Sequence, residues 1–157
     1  MTKPTTFPLL VSCAIALAAL PAAARTQPAA RGMASLSRDP LVGTWRFVEV
    51  TDWDTDATPT HPLGEHPCGY LIYTATGQVS VHLGTCDGPA DERVYGGYFG
   101  TYTADTARHL VTHRIEGGRD PADVGTAVAR PYRIRGDTLE LGDGRTWRRL
   151  LVRVTGP

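Results

Sequence analysis

The side chains best suited to chemistry in this chain sit on stretches of two-residue alternation. His113 falls between Val111 and Ile115, and Arg130 and Tyr132 alternate with Val128 and Ile134. Residues two apart on a strand share a side. If both rows face inward, His113, Arg130 and Tyr132 become convergent polar groups in an apolar pocket, the usual anatomy of a small-molecule site. Tyr98 and Tyr102 flank Gly100 on one side and extend the same cavity, or pack as ordinary core. A buried arginine needs a partner, and a ligand carboxylate or phenolate would serve. So would Glu116 or Asp123, with His113 then a hydrogen-bonded structural histidine. If the site is catalytic, His113 is its general base, and Tyr98, Tyr102 or Arg130 stabilise an enolate in an isomerisation, cyclisation or dehydration.

Other motifs carry less. Asp52-Trp53-Asp54-Thr55-Asp56 imitates the start of a calcium loop, but Ala57 stands at the required glycine and Leu63 at the bidentate glutamate. His61 and His66 could recruit a transition metal with these acids; a lid over a pocket mouth is the simpler role for the long segment Asp52 to Pro67. His82, beside Ser80, is read as a surface residue. There is no G-x-S-x-G elbow and no H-E-x-x-H, and Gly96-Gly97 with Gly100 lies in a strand-like run. No cofactor or metal is expected.

The elements that must position these groups are strands. Runs of alternating or β-branched residues occupy 44–51, 69–74, 78–83, 95–103, 109–116, 126–135, 138–141 and 146–154, and turn formers such as Gly77, Gly117-Gly118 and Gly136-Asp137 separate nearly all of them. Helical periodicity is never sustained for ten residues. The pattern predicts an all-β fold, an up-and-down barrel or a sandwich, preceded by a short helical turn begun by Asp39-Pro40. The 157 residues suffice for one domain. With 16 Lys+Arg against 16 Asp+Glu, nucleic acid is not an expected partner.

The N-terminus reads as an address. Lys3, an apolar run from Phe7 to Leu20 and Pro21-Ala22-Ala23-Ala24 form a signal peptide over residues 1–24, with a flexible segment over 25–38 and the domain over 39–157. Leu10-Val11-Ser12-Cys13 also matches a lipobox, although the apolar run continues well past Cys13. Cleavage after Ala24 removes Lys3 and leaves 15 Arg against 16 acids, with no membrane-spanning run in the mature chain. The product would be periplasmic or extracellular. Cys68 and Cys86 then remain as an even pair in an oxidising compartment, flanking the hairpin 69–83. A disulfide between them needs a bulge or bend near Gly84; two separate buried thiols are the alternative.

Leu41-Val42-Gly43-Thr44-Trp45 carries a Gly-x-Trp first strand, and Gly69-Tyr70-Leu71-Ile72-Tyr73-Thr74-Ala75-Thr76-Gly77 a second hairpin. Tyr98-Phe99-Gly100-Thr101-Tyr102, Val111-Thr112-His113, Val124-Gly125-Thr126, Arg130 and Gly136-Asp137-Thr138-Leu139-Glu140-Leu141 follow in order. The series resembles the bacterial and fungal lipocalin-like domain family over about residues 40–154. Cys68, Cys86 and the charged Gly118-Arg119-Asp120 depart from its pattern. The resemblance implies an eight-stranded antiparallel barrel and no catalytic assignment. In such a barrel Gly43 and Trp45 belong to the closed end, with Trp45 as a plug and Arg148 or Arg149 lying over its face. The interior would hold a small hydrophobic or amphipathic ligand with an acidic or hydroxyl group, or be filled and serve as an envelope or interaction module.

Overall fold

The computed structural model describes residues 39–156; the expected signal peptide over 1–24, with Cys13, and the segment 25–38 lie outside them. Nine antiparallel strands follow in chain order: β1 (Gly43–Trp53), β2 (Pro59–Thr60), β3 (Pro67–Tyr73), β4 (Gln78–Thr85), β5 (Tyr95–Asp105), β6 (Leu110–Gly118), β7 (Ala127–Arg135), β8 (Thr138–Gly142) and β9 (Trp147–Arg153). Each strand from β3 to β9 pairs with the next, and β1 pairs with both β3 and β9. The result is a closed eight-stranded barrel, with two-residue β2 added where the long loop doubles back on Asp52 and Trp53. Closure leaves no long unpaired edge. All eight strands read from alternation are present, and alternation is what fills the interior: Leu71, Tyr73, Val79, Val111, Leu139 and Leu151 are buried, while residues between them face outward or lie half-buried.

Before β1 the chain makes one tight turn. Val42 N–H donates to Asp39 O at 3.1 Å, and Leu41 N–H to the Asp39 carboxylate at 2.9 Å. It is a capped reverse turn; the helical turn among the described residues is a 3-10 turn at Pro121–Asp123, capped by Asp120.

This turn and Trp45 form the barrel floor. Trp45 is fully buried, and its indole N–H donates to Leu41 O at 2.8 Å. The cation over its face is Arg153, 4.0 Å from the ring centroid, and neither Arg148 nor Arg149. Register explains the correction: Trp45 pairs with Arg153, whereas Arg148 and Arg149 pair with Thr51 and Val50 at the other end of β1. Arg153 also donates to Val42 O and Pro40 O, each at 2.8 Å. Gly43, at φ 141°, leaves the space this requires, since a Cβ there would stand 2.6 Å from Arg153 Nη1.

The β1–β9 register slips between Phe47 and Glu49, making Val48 an extra residue. Such a bulge shifts which side chains point in. Trp45 and Phe47 are buried below it and Val50 above it. β9 itself alternates without interruption, so Arg149 and Trp147 share the inward side of Leu151, while Arg148 pairs with Glu49 and lies over Trp53, 5.8 Å from its centroid.

Cys68 and Cys86 are bonded, with Cα atoms 5.7 Å apart. The β3–β4 register is unbroken, so no bulge at Gly84 is needed. The irregular backbone is on the facing strand at Gly69, φ 133°, where a Cβ would run into His82 O.

Two stability predictions follow from the floor and the disulfide. Arg153→Met loses the indole contact and two carbonyl hydrogen bonds and should cost about 2–4 kcal/mol in urea denaturation. The Cys68→Ser/Cys86→Ser double variant should lose roughly 3 kcal/mol by the same measurement, mostly by freeing the unfolded chain.

Candidate functional site

The barrel is filled below and hollow above. In the lower half the Tyr73 and Tyr102 rings pack tilted at 59°, with centroids 4.6 Å apart, and the Tyr102 hydroxyl donates to Thr74 O at 3.2 Å. Tyr132 is buried there as well, edge-on to His109 at 5.8 Å. Tyr102 and Tyr132 therefore belong to the packed part of the interior and do not line the hollow. Burial holds both phenols above their ordinary range, Tyr102 at about 12.

Above them lies an inner chamber of about 150 Å³ with apolar walls that include Phe47, Leu71, Val81 and Leu141, and with Tyr98, His113 and Arg130 as polar lining. It adjoins a mouth of about 340 Å³ that shares Val81, Leu83, Tyr98 and Arg149 and is bounded by Pro62 and Leu63 from the long loop and Val94 and Tyr95 at the start of β5. The loop is thus a partial cover, as its length suggested. Its acids do other work: Asp54 accepts from the N–H groups of Asp56 and Thr58, both at 2.9 Å, and His61 Nδ1 lies 3.4 Å from Val50 O. Among the described residues no three His, Cys, Asp or Glu side chains converge on a metal position. His82 is on the outer face, between Ser80 (2.9 Å) and Tyr95 (2.5 Å).

Three of the five residues expected to meet a ligand are brought together. His113 is fully buried and held from both sides: Tyr73 Oη lies 2.7 Å from Nε2, and Tyr98 Oη 2.7 Å from Nδ1. Burial, reinforced by Arg130, pushes the imidazole down to about 3, so it is neutral at ordinary pH. A neutral imidazole has one donor and one acceptor. The Tyr73 hydroxyl is buried with His113 as its hydrogen-bond partner, so its O–H donates to Nε2, since an unpaired buried donor is costly. Nδ1–H then donates to Tyr98 Oη, and the Tyr98 proton is left to point into the chamber. Burial raises the Tyr98 phenol, against the pull of Arg130, so it remains a proton-bearing donor.

This arrangement is poor for a base. Both ring nitrogens of His113 are occupied by tyrosine hydroxyls, and the ring releases a proton too readily to take one from a substrate. His113 is a positioning residue that aims Tyr98. Tyr73, which completes the relay, was legible only as one more inward position beside Leu71; the signal that could have found it is that a tyrosine inside a barrel needs a partner for its hydroxyl.

Arg130 is the one member without a counter-charge. The ion pairs expected with Glu116 or Asp123 are not among those formed by the described residues. Its guanidinium rests between aromatic faces, 5.4 Å from the Trp147 centroid and 5.8 Å from that of Tyr98. Arg149, in contrast, is bound to Asp52 at 2.6 Å.

The depressed His113 sets a pH dependence. Below its ordinary pKa of 6.5 the unfolded chain takes a proton that the native state refuses until about pH 3, so stability falls as pH drops through that window. The loss is on the order of 1 kcal/mol per pH unit. His113→Gln should remove this part of the slope, read as a smaller difference between urea midpoints at pH 7 and pH 4 than the parent shows.

Comparison with known proteins agrees with this architecture. The sequence model of the lipocalin-like domain matches residues 42–94, from the residue before β1 to the residue before β5. No curated protein matches the chain. The matched strands are part of a closed, eight-stranded antiparallel barrel with one filled and one hollow end, an architecture consistent with the lipocalin-like fold that the match over β1 to β4 points to.

Proposed function

We propose that this barrel binds a small, largely apolar molecule bearing one acidic or hydroxyl group, and does so without transforming it. The observation that carries this is the inner chamber, where an apolar wall faces a cluster of hydrogen-bond donors at Tyr98 and Arg130. A void of about 150 Å³ is the size that admits a benzene-sized group, and the mouth offers room for more. The role is outside the cytoplasm: the N-terminal 24 residues have the three parts of a signal peptide, residues 25–38 link it to the domain, and the Cys68–Cys86 bond suits an oxidising compartment. Whether the protein ends in the periplasm or beyond the cell does not alter the binding argument.

Gently purified protein should carry a small molecule detectable by native mass spectrometry, or bind a neutral apolar dye such as N-phenyl-1-naphthylamine with enhanced fluorescence. Val81→Trp, which fills the junction between chamber and mouth, should weaken dye binding by about tenfold or more with the circular dichroism unchanged. Absence of both a bound molecule and dye binding would remove the proposal.

A further inference from the structure

We infer that the inner chamber selects a monoanion, with a ring-sized or short-chain carboxylate seated head-inward against Arg130 and Tyr98 and its apolar end toward the mouth. The inference rests on the binding reading above and adds the charge and orientation of the ligand.

The first support is an imbalance of charge. The inner chamber is lined by two cations and no acid, and Asp52 already neutralises Arg149. One positive charge is left, on Arg130. Its Nε is buried and hydrogen-bonded to nothing among the described residues. Arg148 also has an idle Nε, but its terminal nitrogen holds Glu49. The field of Asp123 reaches Tyr98, yet that carboxylate forms no ion pair with Arg130. A half-buried guanidinium kept between two aromatic faces retains its charge while its position is fixed.

The second support is the direction of the donors. Every polar group in the cluster gives a proton: Tyr98 has one to donate once Nδ1–H of His113 is directed at its oxygen, and Arg130 has only donors. A carboxylate accepts from both, whereas a hydroxyl leaves the guanidinium charge unmet and an ammonium would be repelled. Orientation follows from placement: the mouth offers apolar surface at Pro62, Leu63 and Val94, and its two arginines are engaged, Arg149 by Asp52 and Arg119 by the Tyr95 carbonyl, whereas the unpaired Arg130 lines the inner chamber.

The test compares isosteres that differ in charge. Displacement of N-phenyl-1-naphthylamine is measured with benzoate against benzamide, octanoate against octanamide, and benzylamine. The parent should prefer each carboxylate to its amide by about tenfold or more, as charge-assisted hydrogen bonds imply, and reject the amine. Arg130→Met should bring that preference below about threefold while retaining dye binding, and Arg114→Gln, on the exposed outer face of β6, should leave it intact. The unliganded Arg130→Met protein should also melt no lower than the parent, since an arginine with no counter-charge contributes little to the fold; a clear drop would mark Arg130 as structural and overturn the inference. Equal affinity for acid and amide, or a preference that survives Arg130→Met, overturns it too while leaving the binding reading in place if the dye still binds. Failure of the dye and every probe to bind overturns both.

Discussion

The contact between Arg153 and Trp45 is where this barrel closes. It joins the last residue of the last strand to the third residue of the first, and the same guanidinium reaches the carbonyls of Pro40 and Val42. One side chain thus ties both ends of the described chain to the floor, while the indole fills the space beneath the core and gives its own N–H to Leu41. An eight-stranded barrel has room for side chains or for one small ligand. Filling the lower half with Trp45 and the tyrosines around Tyr73 assigns the remaining volume to the upper half, so the position of the chamber follows from how the floor is built.

The bulge at Val48 is the second constraint. Without the extra residue β1 would present the opposite parity above Phe47, and Val50 would leave the interior. With it, Val50 is buried opposite Arg149, which the uninterrupted alternation of β9 already points inward together with Trp147 at the open end. Two ring-stacked arginines differ in their partners: Arg153 on its indole is satisfied by main-chain oxygens, whereas Arg130 on Trp147 and Tyr98 keeps a buried Nε unpaired. The same stacking stabilises in one place and holds a charge ready in the other.

What was legible in the sequence follows the range of the interactions concerned. The eight barrel strands could be read because alternation and turn glycines are local signals, and the disulfide because the two cysteines bracket one hairpin. The partner of Trp45 could not, because it depends on the β1–β9 register across more than a hundred residues, and neither Arg148 nor Arg149 lies at the right height. Tyr132 shares an inward row with Arg130, yet one pleat repeat along a tilted strand carries it from chamber to floor. Tyr73 and His113 are 40 residues apart and on strands separated by two others, so only the closed barrel shows that they meet.

The neutral state of His113 links these pieces. A protonated imidazole beside Arg130 would add a third cation to a chamber lined by Arg130, Arg149 and no acid, and burial and Arg130 together prevent it. Kept neutral, the ring can accept a hydrogen bond from the Tyr73 hydroxyl on one nitrogen and donate its own N–H from the other, which leaves Tyr98 with a single direction for its hydroxyl. A phenylalanine at 73 would free Nε2 and let the ring adopt either tautomer, and Tyr98 would then be as able to donate back into the ring as outward. The buried tyrosine on the far side of the histidine, itself outside the chamber lining, therefore decides what the cavity presents.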